Sequence, residues 1–473
     1  MLQFTVRSSL KMPATSVMEV PRDDFSEAHS WTDDLPICRY SGVGYATNQV
    51  YRKDGQRQCG VFEEKCIHVC SNEDPSSVYL YGVFDGNNGV EAAEFAVQGM
   101  AAELLLGQLA GKVRDQEIKE TLSQAFLSVE KNYLQSLDDK VAQRAALQYQ
   151  IPEGLMSYDI YQRYPDIVDS INKLNRQLSC GTTAAVALIV NNKLYVANVG
   201  DTRVLLCKTD KHGVHKMQQL SVDHDLSNED EILRLETIGL SIPKGLRTLA
   251  NQHTTRCIGN FLVKGAFREF EELASATEEP IIAEPEIQGG IEIDESCRFL
   301  LLMSDGLYKS LEEATGTAQV NTLIIQTALE EFKNQTTLTG VAQAIVDKVV
   351  RKHTDMYFSG AASELRSRDD ISLIVRNFNC LMANSSTLNS FNLEPLSMAT
   401  STNTLDDTIS SSTRSMNSVP TEIQPYVDFT DFYKNVEEAR KNGTLALGSF
   451  RLLKIEVIAI IGIWFKLYTL FTG

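Results

Sequence analysis

The chain has 473 residues, with 62 Asp plus Glu against 44 Lys plus Arg and a formal net charge of -18. That acidity excludes a dedicated nucleic-acid-binding protein. With 43% hydrophobic and 8% aromatic residues, the chain is neither fibrous nor wholly disordered, and its length allows one large core or two ordinary domains.

Residues 1–29 show no periodic apolar pattern and are expected to form a flexible leader. Only six mostly apolar residues precede Arg7, so no secretory signal is expected there, and the nine scattered cysteines suit a reducing, cytoplasmic setting. The tightest cysteine cluster is Cys66-Ile-His68-Val-Cys70 with Cys59 upstream. Its spacing lacks the Cys-x2-Cys turns usual for zinc, and ordinary buried thiols are the expectation.

An ordered domain is predicted over residues 30–379. The runs at 78–84, 183–190, 193–199, 299–303 and 371–378 are rich in β-branched and aromatic residues, end in Gly, Asp or Asn, and read as strands. Val97, Met100, Ala101, Leu104 and Leu105 fall at helical spacing, and Leu122 to Leu134 continues in the same style. Such helices need a sheet to cover. Residues 139–177 are polar and helical with a break at Pro152-Glu-Gly154, as an insertion would be, and 235–264 is expected to be an irregular lobe.

The composition changes after Cys380. Residues 385–421 hold 17 Ser or Thr in 37 positions with a single aromatic, Phe391, so a disordered Ser/Thr-rich linker is predicted over 380–421. A helix is predicted over 422–445, where Tyr426, Phe429, Phe432, Tyr433 and Val436 recur at steps of three or four. Anchors at that spacing suit either docking on the chain's own domain or insertion into a partner's groove. The final segment, 446–473, is a hydrophobic tail. Lys454, Glu456 and Lys466 leave only 457–465 without a charge, short of the roughly 20 residues that span a bilayer, so membrane association through 452–471 stands beside a merely apolar or interfacial role.

The chemistry-bearing residues are acids where strands stop. Asp85-Gly86-Asn87-Asn88-Gly89, Asn198-Val-Gly-Asp201-Thr-Arg203, Ser304-Asp305-Gly306 and Arg368-Asp369-Asp370 each border a predicted strand. Any one of them is weak, because Asp-Gly commonly marks a plain turn. Together with Cys180-Gly-Thr-Thr-Ala184, Asp223-His224, Thr255-Arg-Cys-Ile-Gly-Asn260 and Glu284-Pro-Glu286, in this order over about 38–379, the set resembles the metal-dependent protein serine/threonine phosphatase (PPM) family.

The resemblance implies an α+β fold: a central β-sandwich of two antiparallel sheets flanked by helices. It also implies Mg or Mn ions held by Asp85, which would bridge two of them, by the carbonyl of Gly86, and by Asp305 and Asp369, with Asp201 serving a weaker third ion. Active members carry a Glu-Asp pair four and five residues after a phosphate-holding Arg. If Arg52 is that phosphate-binding residue, the pair becomes Gln56 and Arg57, and the second metal position is degraded. Asn87 stands for a His expected to act as general acid, and Asn260 and Lys309 stand for two further acids. These departures imply one Mg or Mn ion and a pseudophosphatase, with an active Mg/Mn-dependent phosphatase as the alternative.

Ser30-Trp-Thr-Asp-Asp-Leu-Pro36, Ala102 to Leu109, Asn191 to Gly200 and Pro425-Tyr-Val-Asp-Phe429 are similar to a branch of catalytically silent adaptors within this family. That branch binds and activates a TGF-beta-activated MAP kinase kinase kinase in stress and innate immune signalling. The resemblance implies that residues 425–440 dock on the kinase catalytic domain, with a ubiquitin-system protein or a stress-activated MAP kinase as a further partner class.

Overall fold

Long strands whose side chains are apolar on both faces fold stably only when each face is covered, one by a second sheet and the other by helices. The computed structural model takes this form. It describes residues 30–52, 57–71, 78–152, 154–360 and 366–383, all within the first of two compact units, Met1–Leu393. The leader, most of the linker, the helix expected at 422–445 and the tail lie outside the described residues.

In chain order the strands are β1 (Ser41–Ala46), β2 (Gln49–Tyr51), β3 (Arg57–Gln58), β4 (Lys65–Ser71), β5 (Val78–Asn87), β6 (Gly181–Val190), β7 (Lys193–Val199), β8 (Arg203–Thr209), β9 (His215–Gln219), β10 (Ile258–Gly259), β11 (Glu286–Glu292), β12 (Cys297–Met303), β13 (Ser367–Arg368) and β14 (Ile371–Asn377). The helices are α1 (Glu91–Leu105), α2 (Asp115–Ser136), α3 (Asp138–Gln148), α4 (Ser157–Arg163), α5 (Pro165–Leu178), α6 (Glu229–Thr237), α7 (Asp305–Thr315), α8 (Val320–Asn334) and α9 (Leu338–Phe358). One sheet runs β11-β7-β6-β5-β4, with β10 added to β6, and the other runs β1-β14-β12-β8-β9. A small sheet, β13-β2-β3, sits apart from both. The pairings within all three are antiparallel.

The period of two along each strand sorts the core into three layers. Tyr81, Val83, Ala185, Ala187 and Val196 meet Val204, Leu206, Leu300, Leu302 and Ile374 between the two sheets. Leu80, Phe84, Val186 and Leu188 point the other way and pack under Met100, Leu104, Leu122 and Phe126 of α1 and α2. Phe299, Leu301, Met303, Leu373 and Val375 pack under α7, α8 and α9 through Leu307, Ile324, Phe332, Ile345 and Val346. The two-sheet α+β sandwich is as expected.

The strand at 78–84 extends to Asn87, carrying Asp85 and Gly86 within the ladder and not after it. The insertion folds as α3, α4 and α5. The buried guanidinium of Arg144 secures it, donating to Asn175 Oδ1 at 2.6 Å and to both Glu269 oxygens at 2.9 and 2.5 Å. The irregular lobe starts earlier than expected, with α6, and has its own apolar centre of Leu226, Leu235, Leu240, Leu249, Leu273 and Ile281. The Cys66 cluster is a strand face. Cys66 and Cys70 pack toward the inter-sheet core while Ile67 and Val69 face the helices, and all nine cysteines are free thiols. Burial pushes the Cys66 thiol up to about 12.

Candidate metal centre

The ends of several elements converge beside the sandwich. β5 carries Asp85 and Gly86, the β7–β8 turn carries Asp201, the first residue of α7 is Asp305, and the β13–β14 turn supplies Asp369 and Asp370. Two glycines permit the convergence. A Cβ on Gly86 would meet the Glu63 carbonyl oxygen at 2.3 Å, and one on Gly306 would meet that of Asp370 at 1.8 Å. Backbone therefore lies directly against backbone at both places, which is the physical content of the two Asp-Gly pairs.

The close approach at Gly86 brings in acids that sequence reasoning missed. Lys65 pairs with Phe84 in the β4–β5 ladder, so Glu64 sits at the same end of the sheet as Asp85. Glu64 is 1% exposed and its Oε2 has no hydrogen-bond partner among the described residues. Glu63 Oε2 accepts from the Gly89 amide at 2.9 Å. Asp370 holds this segment in place: its Oδ2 accepts from the Glu63 amide at 2.9 Å, and its Oδ1 accepts from the backbone and side-chain nitrogens of Asn48.

Burial and the neighbouring carboxylates of Asp305, Glu64 and Asp201 push the pKa of Asp85 well up. Burial also raises that of Glu64, opposed by hydrogen bonds from Ser372 and Ser304 and reinforced by Asp370 and Asp305. Converging carboxylates raise one another in this way when no cation stands among them. Hard oxygens, one of them buried and unpartnered, suit a hard divalent cation on the Asp85–Glu64 side.

The Asp201 side is different. Lys309 lies one turn after Asp305 on α7, and its Nζ donates to Asp201 Oδ2 at 2.7 Å and to Asp305 Oδ2 at 2.5 Å. Burial lowers the pKa of Lys309, but the two carboxylates more than reverse this, so the ammonium stays charged. Asp201 is raised by burial and by Asp305, with Lys309 pulling it back. Among the described residues, no group of three or more His, Cys, Asp and Glu is gathered to hold a metal ion without rearrangement.

A cleft of about 390 Å³ opens next to Lys309, lined also by Asn48, Asp305, Glu313, Arg368 and Asp369. Arg368 is buried, donating to the carbonyls of Asp369 and Thr47 at 2.6 and 2.5 Å. On the opposite flank Gln252 Oε1 accepts from Asn87 at 3.3 Å and from Asn260 at 2.8 Å.

The model of the family described as protein phosphatase 2C matches residues 50–354, more than half of the chain. The chain belongs to the protein phosphatase 2C family. It is 28% identical over 331 residues to a Caenorhabditis elegans protein named TGF-beta-activated kinase 1 and MAP3K7-binding protein 1, covering 69% of this chain and 77% of that one. It is 30% identical over 250 residues to probable protein phosphatase 2C 4 of Paramecium tetraurelia, covering 53% of this chain and 69% of that one, and 29% identical over 264 residues to probable protein phosphatase 2C 2 of the same organism, covering 56% and 75%. Phosphatase 2C enzymes are Mg- or Mn-dependent phosphatases, so both the adaptor-named and the phosphatase-named branches are represented.

The structure brings Asp85, Asp201, Asp305 and Asp369 within electrostatic reach of one another, and Asp305 and Asp369 line the cleft. It does not add Arg52, which is exposed just past β2 and does not line the cleft. Of the expected acidic-pair positions, Gln56 and Arg57, the structure places Arg57 away from Asp85. Arg57 pairs with Tyr51 in the small sheet, Gln56 lies outside the described residues, and the adjacent acids beside Asp85 are Glu63 and Glu64. The signal that would have found them is the charged pair directly before the strand at 65–71, read together with the antiparallel partner of that strand.

Proposed function

We propose that this phosphatase 2C chain is an adaptor that binds and activates a TGF-beta-activated MAP kinase kinase kinase and has little phosphatase turnover of its own. The observation that carries this reading is the Lys309 ammonium, bonded to both Asp201 and Asp305 in a cleft whose chemistry needs divalent charge. The similarity to the kinase-binding protein of C. elegans supports the same side. Residues 425–440, with Tyr426, Phe429, Phe432, Tyr433 and Val436, are the proposed kinase-docking segment. Stress and innate immune signalling is the proposed setting, with a ubiquitin-system protein or a stress-activated MAP kinase as a further partner and the cytoplasm as the proposed location. Membrane association through 452–471 is the alternative location.

In this reading one Mg or Mn ion is held by Asp85, Asp305, Asp369 and the carbonyl of Gly86. Such an ion, when bound, supplies charge and lowers the pKa of its water. The residues around it orient and desolvate. Glu63 and Glu64 add acid beside Asp85 and could contribute to holding the ion, while Asn87 offers an amide that cannot give a proton to a leaving alkoxide.

One observation favours the second reading, a working Mg/Mn-dependent serine/threonine phosphatase. Glu63 and Glu64 stand where an acidic pair would serve a second ion. The deciding experiment measures phosphate release from a phosphoserine peptide and kinase autophosphorylation on the same full-length sample, with and without Mn. Kinase stimulation without phosphate release is expected. Brisk Mn-dependent release that is lost in Asp85→Ala would replace the adaptor reading with the enzymatic one.

A further inference from the structure

Lys309 raises a separate question: which cation the Asp201–Asp305 side of the cleft takes. Its Nζ contacts one Oδ2 atom of each carboxylate at 2.7 and 2.5 Å. Both acids are largely covered, with side-chain exposures of 6% and 19%, so little water is available to replace the ammonium as a partner.

Its placement is fixed from several directions. Asp305 opens α7 and Lys309 follows at i+4, on the same helix face. Between them Tyr308 donates its hydroxyl to the Asp201 carbonyl at 3.0 Å, tying α7 to the β7–β8 turn. The Arg203 guanidinium lies 3.6 Å from the Tyr308 ring centroid and is held by a bidentate bond to Asp223, with Nε and Nη2 at 3.0 and 2.7 Å from Oδ2. The α7 backbone that carries Lys309 is thus fixed by packed neighbours, while the partly exposed lysine side chain is held by its two carboxylate contacts.

The geometry points to Lys309 as a tethered counter-ion that takes the place of a divalent cation between Asp201 and Asp305, leaving divalent-ion binding to the Asp85 side, to which Asp305 can turn only the oxygen that Lys309 does not hold. The inference deepens the low-turnover reading, which rests on the same ammonium, but it is read by metal binding and not by kinase activation. One positive charge offsets one of the two carboxylate charges here and occupies the position between them. The ion and the ammonium therefore exclude each other, and an ion bound near Asp305 feels the ammonium as repulsion across a few ångströms.

The test is Mn2+ titration of the full chain, read by calorimetry and by the loss of the free-ion electron paramagnetic resonance signal. Lys309→Met is expected to tighten Mn2+ binding by about tenfold or more, since a neighbouring unit charge is removed. Lys309→Asp is expected to take up one more equivalent of Mn2+ than the unmodified chain, and Lys309→Arg to behave as the unmodified chain does. Equal stoichiometry and affinity in Lys309→Met, Lys309→Asp and the unmodified chain would overturn the inference. Asp201→Asn in the otherwise unmodified chain keeps it falsifiable if the lysine variants fail to fold. The number of Mn2+ equivalents is expected to be unchanged there, with affinity lowered by the lost negative charge, and the loss of one equivalent would show that Asp201 already ligates a metal and sink the inference.

Discussion

Asn48 and Asp370, 322 positions apart in the chain, are joined by two hydrogen bonds to one oxygen: the Asn48 amide and its Nδ2 lie 2.5 and 2.9 Å from Asp370 Oδ1. The same Asn48 side chain donates to the Val61 carbonyl at 2.9 Å and accepts from the Gly60 amide at 2.6 Å. Three strand connections that border the cleft are therefore fastened through one amide and one buried carboxylate.

Removing that fastening has a measurable cost. Asn48→Ala leaves Asp370 buried with one charge-assisted bond fewer and frees the segment leading to Glu63 and Glu64. Hydrogen bonds to charged groups contribute about 1.5 to 3 kcal/mol, so a loss of about that size is expected in urea unfolding. Unchanged stability would show that Asp370 is held without Asn48.

Glu231 is a second buried carboxylate, 1% exposed, accepting from Arg234 at 2.8 Å, from Arg256 at 2.5 Å and from Thr255 at 2.5 Å. Burial alone raises its pKa, but Arg256, Arg234 and Thr255 prevail and lower it to about 2 from an ordinary 4.5. A depressed carboxylate contributes stability that is present above the unfolded value and lost as pH falls toward the folded one. Stability should therefore decline between about pH 4.5 and 2, and Glu231→Gln should flatten that decline. At neutral pH the same change leaves two half-buried guanidinium groups short of charge, with an expected cost of about 1.5 to 3 kcal/mol from the weakened charge-assisted bonds. A wild-type acid limb in Glu231→Gln would assign the decline to other groups.

His224 acts in the next window up. Its side chain is buried, its Nδ1 lies 3.1 Å from the Gly200 amide, and its Nε2 has no partner. Burial first, and then the positive charge of Arg256, lower its pKa to about 4 from 6.5. Between those values the unfolded chain binds the proton that the folded chain refuses, so stability falls as pH drops from about 6.5 to 4. The integrated loss is about 3 kcal/mol. His224→Asn destabilises at every pH, but it should remove this slope, and denaturant midpoints at pH 7 and 5 will show whether it does.

The proposed kinase-docking segment is tested by Phe429→Ala with Phe432→Ala. Loss of two aromatic anchors is expected to cost about 2 kcal/mol or more of binding and to abolish stimulation of kinase autophosphorylation. The thermal melt of the phosphatase-like unit should not move. Undiminished stimulation would place the contact elsewhere.

Much of the fold was legible because strands buried on both faces read as continuous apolar runs, and β6 and β12 stand out in that way. The carboxylates Asp85, Asp201, Asp305 and Asp369 were legible because each sits where such a run stops. Glu63 and Glu64 were not. In sequence they are a charged corner before a strand, and only the pairing of Lys65 with Phe84 places Glu64 beside Asp85. Lys309 was legible as a replaced acid, but that its ammonium bonds to both Asp201 and Asp305 follows from the start of α7 and from Tyr308, which no local pattern reports.

The contact at Gly306 has a mechanical meaning. With no room for even a methyl group between the opening of α7 and the Asp370 carbonyl, the helix and the neighbouring turn move as one piece, so Asp305 and Asp369 cannot be spread by a hinge at that joint. Any substitution that adds a side chain at position 306 must therefore push α7 away from that turn, carrying Asp305 away from Asp369 with it.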